Sequence, residues 1–215
     1  MRTTRTKGRQ GKNASPPPAR PRRTGRPRLQ ESVPRESILA EAARLFRERG
    51  YQGTTVRDIA AAVGIQPGSL FHHFASKEQL LVEMLREASL SLCIGAEAAA
   101  GREGPPDERL AALVRFELNC LVGEGTRHQF AVLVSEWRDV PDAVRPELQM
   151  LRQRYFATWR QLLKECHDAG ILRLEPEAAL RIMHGANTGA VTWFRKNGRY
   201  GTGEFADILT SLVLV

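Results

Sequence analysis

The chain has 215 residues, of which 42% are hydrophobic and 26% charged, enough for one sizeable core or two modest ones. These proportions exclude a collagen, a wholly disordered chain and a disulfide scaffold. No stretch approaches the roughly 20 uninterrupted apolar residues of a membrane span, and no apolar region follows the basic N-terminus. The expectation is a cytoplasmic protein with no membrane partner. Cys93, Cys120 and Cys166 are odd in number and lack CxxC spacing, which fits unpaired thiols in a reducing compartment and points to no metal site and no cofactor.

The net charge of +8 is unevenly distributed. Residues 1–30 hold ten Lys or Arg and no acid, so the remaining 22 basic and 24 acidic residues leave the rest close to neutral. The same segment carries Pro16, Pro17, Pro18, Pro21 and Pro27 and almost no large apolar side chain. It cannot bury enough surface to offset its ordering entropy, and 1–30 is predicted to be a disordered basic arm.

Helical periodicity begins past position 32. Pro34 precedes Ile38, Ala42, Leu45 and Phe46 at i, i+4, i+7 and i+8, and Gly50 ends this first helix. Thr55 with Asp58 three residues on is a capping box opening a second helix with Ile59, Ala60 and Val63 inward. Gly64 supplies a turn, and Pro67 starts a third helix over 66–74 with Leu70 and Phe74 inward. Ser76 and Gln79 form a second box, starting a longer helix along Leu80, Leu81, Met84, Leu85 and Leu92. Two short helices about a glycine turn, flanked by longer ones, spell a helix-turn-helix over residues 31–80.

The run from Ile38 to Leu85 resembles the DNA-binding domain of the TetR/AcrR family of bacterial transcriptional regulators. The resemblance rests on four sub-motifs in register: AARLFRERGY at 42–51, TTVRDIAAAVGI at 54–65, GSLFHHF at 68–74 and SKEQL at 76–80. It implies an all-α protein with an N-terminal three-helix head and a C-terminal helical bundle over 81–215 for effector binding and dimerisation. It also implies a repressor that leaves a palindromic double-stranded DNA operator when a small molecule binds.

A recognition helix presents its N-terminal side chains to base edges, while hydroxyls, amides and cations around it hold phosphates. On 66–74 the polar members are Gln66, Ser69, His72 and His73, and Gly68 allows close backbone approach. Arg57, on the preceding helix, is a guanidinium able to engage guanine bidentately. By position in the family pattern, Arg57, Gln66, Gly68 and His72 are implied to read bases, and Thr55, Ser69, His73 and Lys77 to hold phosphates. Phe71 stands where the family usually has a tyrosine. Thr55 and Ser76 are helix caps whatever else they do, and Phe71 and Phe74 are expected in the core.

Across 31–80 six basic residues balance six acidic ones, so the reading head is neutral and gains from a cationic arm. The arm ends in Gly25-Arg26-Pro27-Arg28, which resembles an AT-hook core, and Arg26 and Arg28 are candidates for an A·T minor groove. A solubilising tail is the other reading.

Beyond Leu92, helices are predicted over 108–122, capped by Asp107, and 128–139, then from Pro141-Asp142 to Gly170, over 177–197 and over 204–213. Ligand pockets are mainly apolar with a few converging polar groups, so Phe116, Asn119, Phe130 and Trp137 are pocket candidates, together with Tyr155, Met183 and Asn187. This apolar inventory suggests a hydrophobic or acyl-type effector, an acyl-CoA among them. Ile182, Ala186, Gly189, Ala190 and Trp193 on one helix, and Phe205, Ile208, Leu209 and Leu212 on the next, fit a homodimer interface of two helices per subunit. Intramolecular packing uses the same pattern. Cys166-His167 is a nucleophile beside a base, but neighbours on a helix point apart, so no enzyme is expected. An architectural, nucleoid-type DNA-binding protein without effector control is the alternative.

Overall fold

The computed structural model describes residues 33–123, 127–195 and 198–215, and the proposed arm with Arg26 and Arg28 lies outside them. Residues Val33–Val215 form one compact unit. Its helices are α1 (Arg35–Arg49), α2 (Val56–Val63), α3 (Pro67–Leu70), α4 (Lys77–Ala100), α5 (Pro106–Val122), α6 (Arg127–Ser135), α7 (Arg145–Asp168), α8 (Pro176–Trp193) and α9 (Thr202–Val213), with a 3-10 turn at Trp137–Asp139. The β pairing among the described residues is one isolated bridge between Leu172 and Leu214.

Local signals set the head. Thr55 and Asp58 close a full capping box on α2, and Gly64 ends it in the left-handed region at φ 75°, returning its N–H to Ala60 and Ala61. Ser76 accepts from the Gln79 N–H at 3.0 Å, while the Gln79 side chain takes the N–H of Ala75, one residue outside a standard box. The third helix is shorter than expected. Regular helix stops at Leu70, and the chain tightens through His72 N–H to Ser69 O and His73 N–H to Leu70 O before reaching Phe74. That one turn keeps Leu70 and Phe74 fully inside but swings Phe71 outward to 51% exposure, so Phe71 is not a core residue.

Boundaries elsewhere move by a few residues for identifiable reasons. Proline can occupy the first helical turn because its missing N–H has no partner to lose there, so α5 starts at Pro106 behind Pro105 and Asp107 sits inside its first turn rather than capping it. Pro141–Val144 is a turn, and α7 starts only at Arg145. The stretch predicted as 128–139 breaks into α6 and the 3-10 turn, and α8 ends at Trp193 where Phe194 becomes extended. At the other end, α9 begins at Thr202, two residues ahead of Glu204.

Packing does not respect the sequence division at residue 80. Helix α4 runs from the head into the bundle, and the core built by Ile38, Leu45, Phe46, Ile59, Leu70 and Phe74 also contains Val132 of α6, Val140, and Leu148 of α7. Each such side chain contributes roughly 1.5–3 kcal/mol by leaving water. A second core joins α4, α5, α7, α8 and α9 around Trp159, Leu163 and Met183. There α4 and α5 approach so closely that a Cβ on Gly95 would lie 2.2 Å from the Phe116 ring.

Candidate nucleic-acid interface and ligand cavity

In the head, Arg57 on α2, Gly68 on α3 and Gln66 and His72 on either side of α3 are exposed, with Ser69 and His73 half-buried beside them. Gly68 has no positive φ, and a Cβ there would meet nothing within 4 Å. Neither the backbone nor packing within the chain therefore requires glycine at this position, and the space it leaves open faces outward. Thr55 is engaged as a cap: its N–H donates to Asp58 Oδ2 at 2.8 Å, its hydroxyl donates to the same oxygen at 2.5 Å, and it accepts from the Asp58 N–H. These bonds, helped by Arg49 at 3.8 Å, hold the Asp58 carboxyl below the usual range. Lys77 points inward. Its Nζ donates to Tyr51 O at 2.8 Å and Thr54 O at 2.9 Å, and lies 4.1 Å from the centre of the Tyr51 ring. It ties the start of α4 to the α1–α2 loop.

The bundle encloses a cavity of about 270 Å³. Its apolar wall comes from Leu92, Leu121, Phe130, Leu133, Trp137, Leu148, Leu151 and Phe156, while Glu117, Tyr155 and His184 line it with polar groups. Glu117 is a buried carboxylate on α5 with three donors around it. Oε1 meets the Tyr155 hydroxyl at 2.5 Å and His184 Nδ1 at 2.6 Å, and Oε2 accepts from Asn187 Nδ2 at 2.6 Å. Burial, reinforced by the Glu117 charge, drives the Tyr155 phenol well above its ordinary value and keeps it a donor. A second opening of about 330 Å³ shares Arg152, Phe156 and His184 with this cavity and adds Arg160, Glu177 and Arg181.

Of the pocket candidates, Phe130, Trp137 and Tyr155 line the cavity. Asn187 stands one layer behind, braced between Glu117 and the Val114 carbonyl. Met183 lies in the second core with Phe116 packed at its edge, and Asn119 is exposed. Sequence reasoning missed Glu117, Arg152 and Phe156, and left His184 out of the pocket. The available signal was a carboxylate at 117 on the same α5 face as Leu113, Val114 and Leu121, where a charge needs a partner. Burial pushes the Cys120 thiol up to about 12 and Cys166 up to about 11, which disfavours the nucleophilic thiolate at both.

On α8 and α9, Ile182, Trp193, Ile208 and Leu212 are exposed apolar side chains. Ala186, Gly189 and Phe205 are half-buried, the Phe205 ring standing edge-on to Trp193 at 5.1 Å. Ala190 and Leu209 face inward and are buried within the chain's own bundle.

Two family profiles cover this architecture. The bacterial regulatory proteins of the tetR family match residues 38–84, and the tetracyclin repressor-like C-terminal domain matches residues 103–215. The transcriptional repressor KstR2 of Mycobacterium tuberculosis H37Rv is 30% identical over 185 residues, spanning 84% of this chain and 90% of the relative. Among solved structures, the superantigen PfiT superposes with a TM-score of 0.68 at 38% identity, covering 86% of this chain and 97% of that one. AibR in complex with isovaleryl coenzyme A and operator DNA superposes with a TM-score of 0.74 at 25% identity, covering 83% and 97%.

Proposed function

Because the chain belongs to the tetR family and is a helix-turn-helix transcriptional repressor, we propose that it binds a palindromic operator as a homodimer and leaves it when an apolar acyl ligand fills the bundle cavity. Arg57, Gln66, Gly68 and His72 are the candidate base-reading positions, and their exposure on α2 and around α3 supports that role. Ser69 and His73 flank them as candidate phosphate contacts. The exposed Ile182, Trp193, Ile208 and Leu212 supply an apolar face for pairing with a second copy, which would place two heads on successive major grooves about 34 Å apart.

One observation carries the coupling. Leu133, Trp137 and Leu148 line the cavity and also belong to, or pack against, the core of the DNA-binding head. A ligand that displaces them moves the surface on which α1 rests, and close-packed cores respond to such displacement by shifting rather than deforming. The apolar wall beside three arginines, together with the AibR complex with isovaleryl coenzyme A and operator DNA, supports an acyl thioester as the effector class. The testing experiment is selection of a binding site from random DNA, followed by competition with unrelated duplex. A preference of about a thousandfold or more for one palindrome is expected, relieved by acyl-coenzyme A. Near-equal binding to unrelated DNA would instead make the protein an architectural one.

A further inference from the structure

The polar end of the cavity has a specific chemical asymmetry. Glu117 is not open to a ligand, because its two oxygens are already engaged by the Tyr155 hydroxyl, His184 Nδ1 and Asn187 Nδ2. Tyr155 and Asn187 are likewise turned onto the carboxylate, and the Thr188 hydroxyl donates back to the His184 carbonyl at 2.8 Å. His184 differs. Its Nδ1 faces Glu117, its ring stands edge-on to Phe156 at 4.9 Å, and the residue lines both the apolar cavity and the arginine-rimmed opening. Nε2 is therefore the polar side-chain atom His184 retains for a ligand, at the junction of an apolar chamber and a cationic mouth.

Charge then selects the ligand group. The groups facing this imidazole are Glu117 from α5, Tyr155, Arg152 and Arg160 from α7, and Glu177 and Arg181 from α8. At the mouth, Glu177 pairs with both Arg160 at 3.2 Å and Arg181 at 3.0 Å, so two of the three guanidiniums share one carboxylate. Resting on the effector reading above, we propose that His184 Nε2 donates a hydrogen bond to the uncharged carbonyl oxygen of an acyl thioester, with Glu117 as the positioning residue and Arg152, Arg160 and Arg181 receiving the ligand's phosphate-bearing end. Nδ1, held on the buried Glu117 carboxyl at 2.6 Å, fixes the orientation of the ring and leaves Nε2 as its other polar atom.

The test uses the full-length protein and calorimetric titration with coenzyme A thioesters from isovaleryl to octanoyl, each beside the thioether analogue that lacks only the carbonyl oxygen. The wild-type protein is expected to favour each thioester by about tenfold, the effect of one hydrogen bond made away from water. His184→Leu should bring thioester and thioether to within about twofold. Glu117→Gln should shrink the preference while operator binding, measured in parallel, reports that the fold is intact. Should His184→Leu fail to fold, His184→Gln keeps an amide donor and is expected to retain part of the preference. Equal wild-type affinity for thioester and thioether, with both still releasing operator, would overturn the role of His184 and leave the effector reading standing. Failure of every coenzyme A compound to bind would overturn both.

Discussion

Lys77 and Tyr51 are joined twice: the ammonium donates to the Tyr51 carbonyl at 2.8 Å and lies 4.1 Å from the centre of the Tyr51 ring. With a further bond to Thr54 O, the charge fastens the first turn of α4 to the loop that orients α2. Lys77→Ala is therefore expected to lower the unfolding free energy by about 1–3 kcal/mol, since it leaves two carbonyls without their charged donor. Urea denaturation of the variant checks this. An unchanged midpoint, with affinity reduced equally for all DNA sequences, would assign the lysine to phosphate contact instead.

Arg57 is exposed on α2 and forms no ion pair among the described residues. Replacing it by alanine should cost about 1–3 kcal/mol of specific binding and relax the preference at one base pair, with stability unaffected. Repeating the site selection with Arg57→Ala provides the check, and an unchanged consensus would remove Arg57 from the reading surface.

The Asp58 carboxyl sits below its ordinary range because of the Thr55 hydroxyl and N–H, with Arg49 adding a smaller effect. A lowered folded-state value means that the contribution is fully present above the unfolded value, about 4, and is lost as pH falls through the folded one. The stability difference between wild type and Asp58→Ala should thus be largest at neutral pH and narrow below about pH 4. A difference that stays constant between pH 7 and pH 3, followed by thermal melting, would contradict the capping-box assignment.

The features that were legible in the sequence are local ones. Thr55–Asp58, Gly64, Pro67 and the apolar stripes of α1 and α4 each act within a few residues, so pattern alone places those helices. The polar end of the cavity is different in kind: Glu117 meets Tyr155, His184 and Asn187 across 38, 67 and 70 positions of chain. Nothing in α5 alone says which helices will bring donors to that carboxylate. The tie from Lys77, named from sequence as a phosphate contact, to Tyr51 and Thr54 is hidden for the same reason, since those acceptors lie 26 and 23 residues away. Phe71 turns outward because the chain makes one helical turn where the pattern predicts a helix over 66–74, while Phe74 still reaches the core.

The ten cations of residues 1–30 supply the arm's proposed role in DNA binding. Each neutralised phosphate steepens the dependence of log affinity on log salt by about 0.9, so engagement of three or four cations predicts that deletion flattens the slope by roughly three per subunit. Titrations of the full chain and of residues 31–215 on one operator at several salt concentrations decide it. Superimposable slopes would leave the arm as a solubilising tail.

Coupling between cavity and head is the central claim, and reciprocity tests it most directly. Isovaleryl- and octanoyl-coenzyme A affinities are measured with the free protein and with the protein saturated by its selected operator, and operator affinity is measured with and without each ligand. If Leu133, Trp137 and Leu148 transmit ligand occupancy to the core beneath α1, each partner must weaken the other by the same factor, about 5- to 150-fold for a typical coupling energy. Trp137→Ala should reduce that factor while operator binding without ligand persists. Ligand affinity that is identical in the presence and absence of saturating operator would contradict the account.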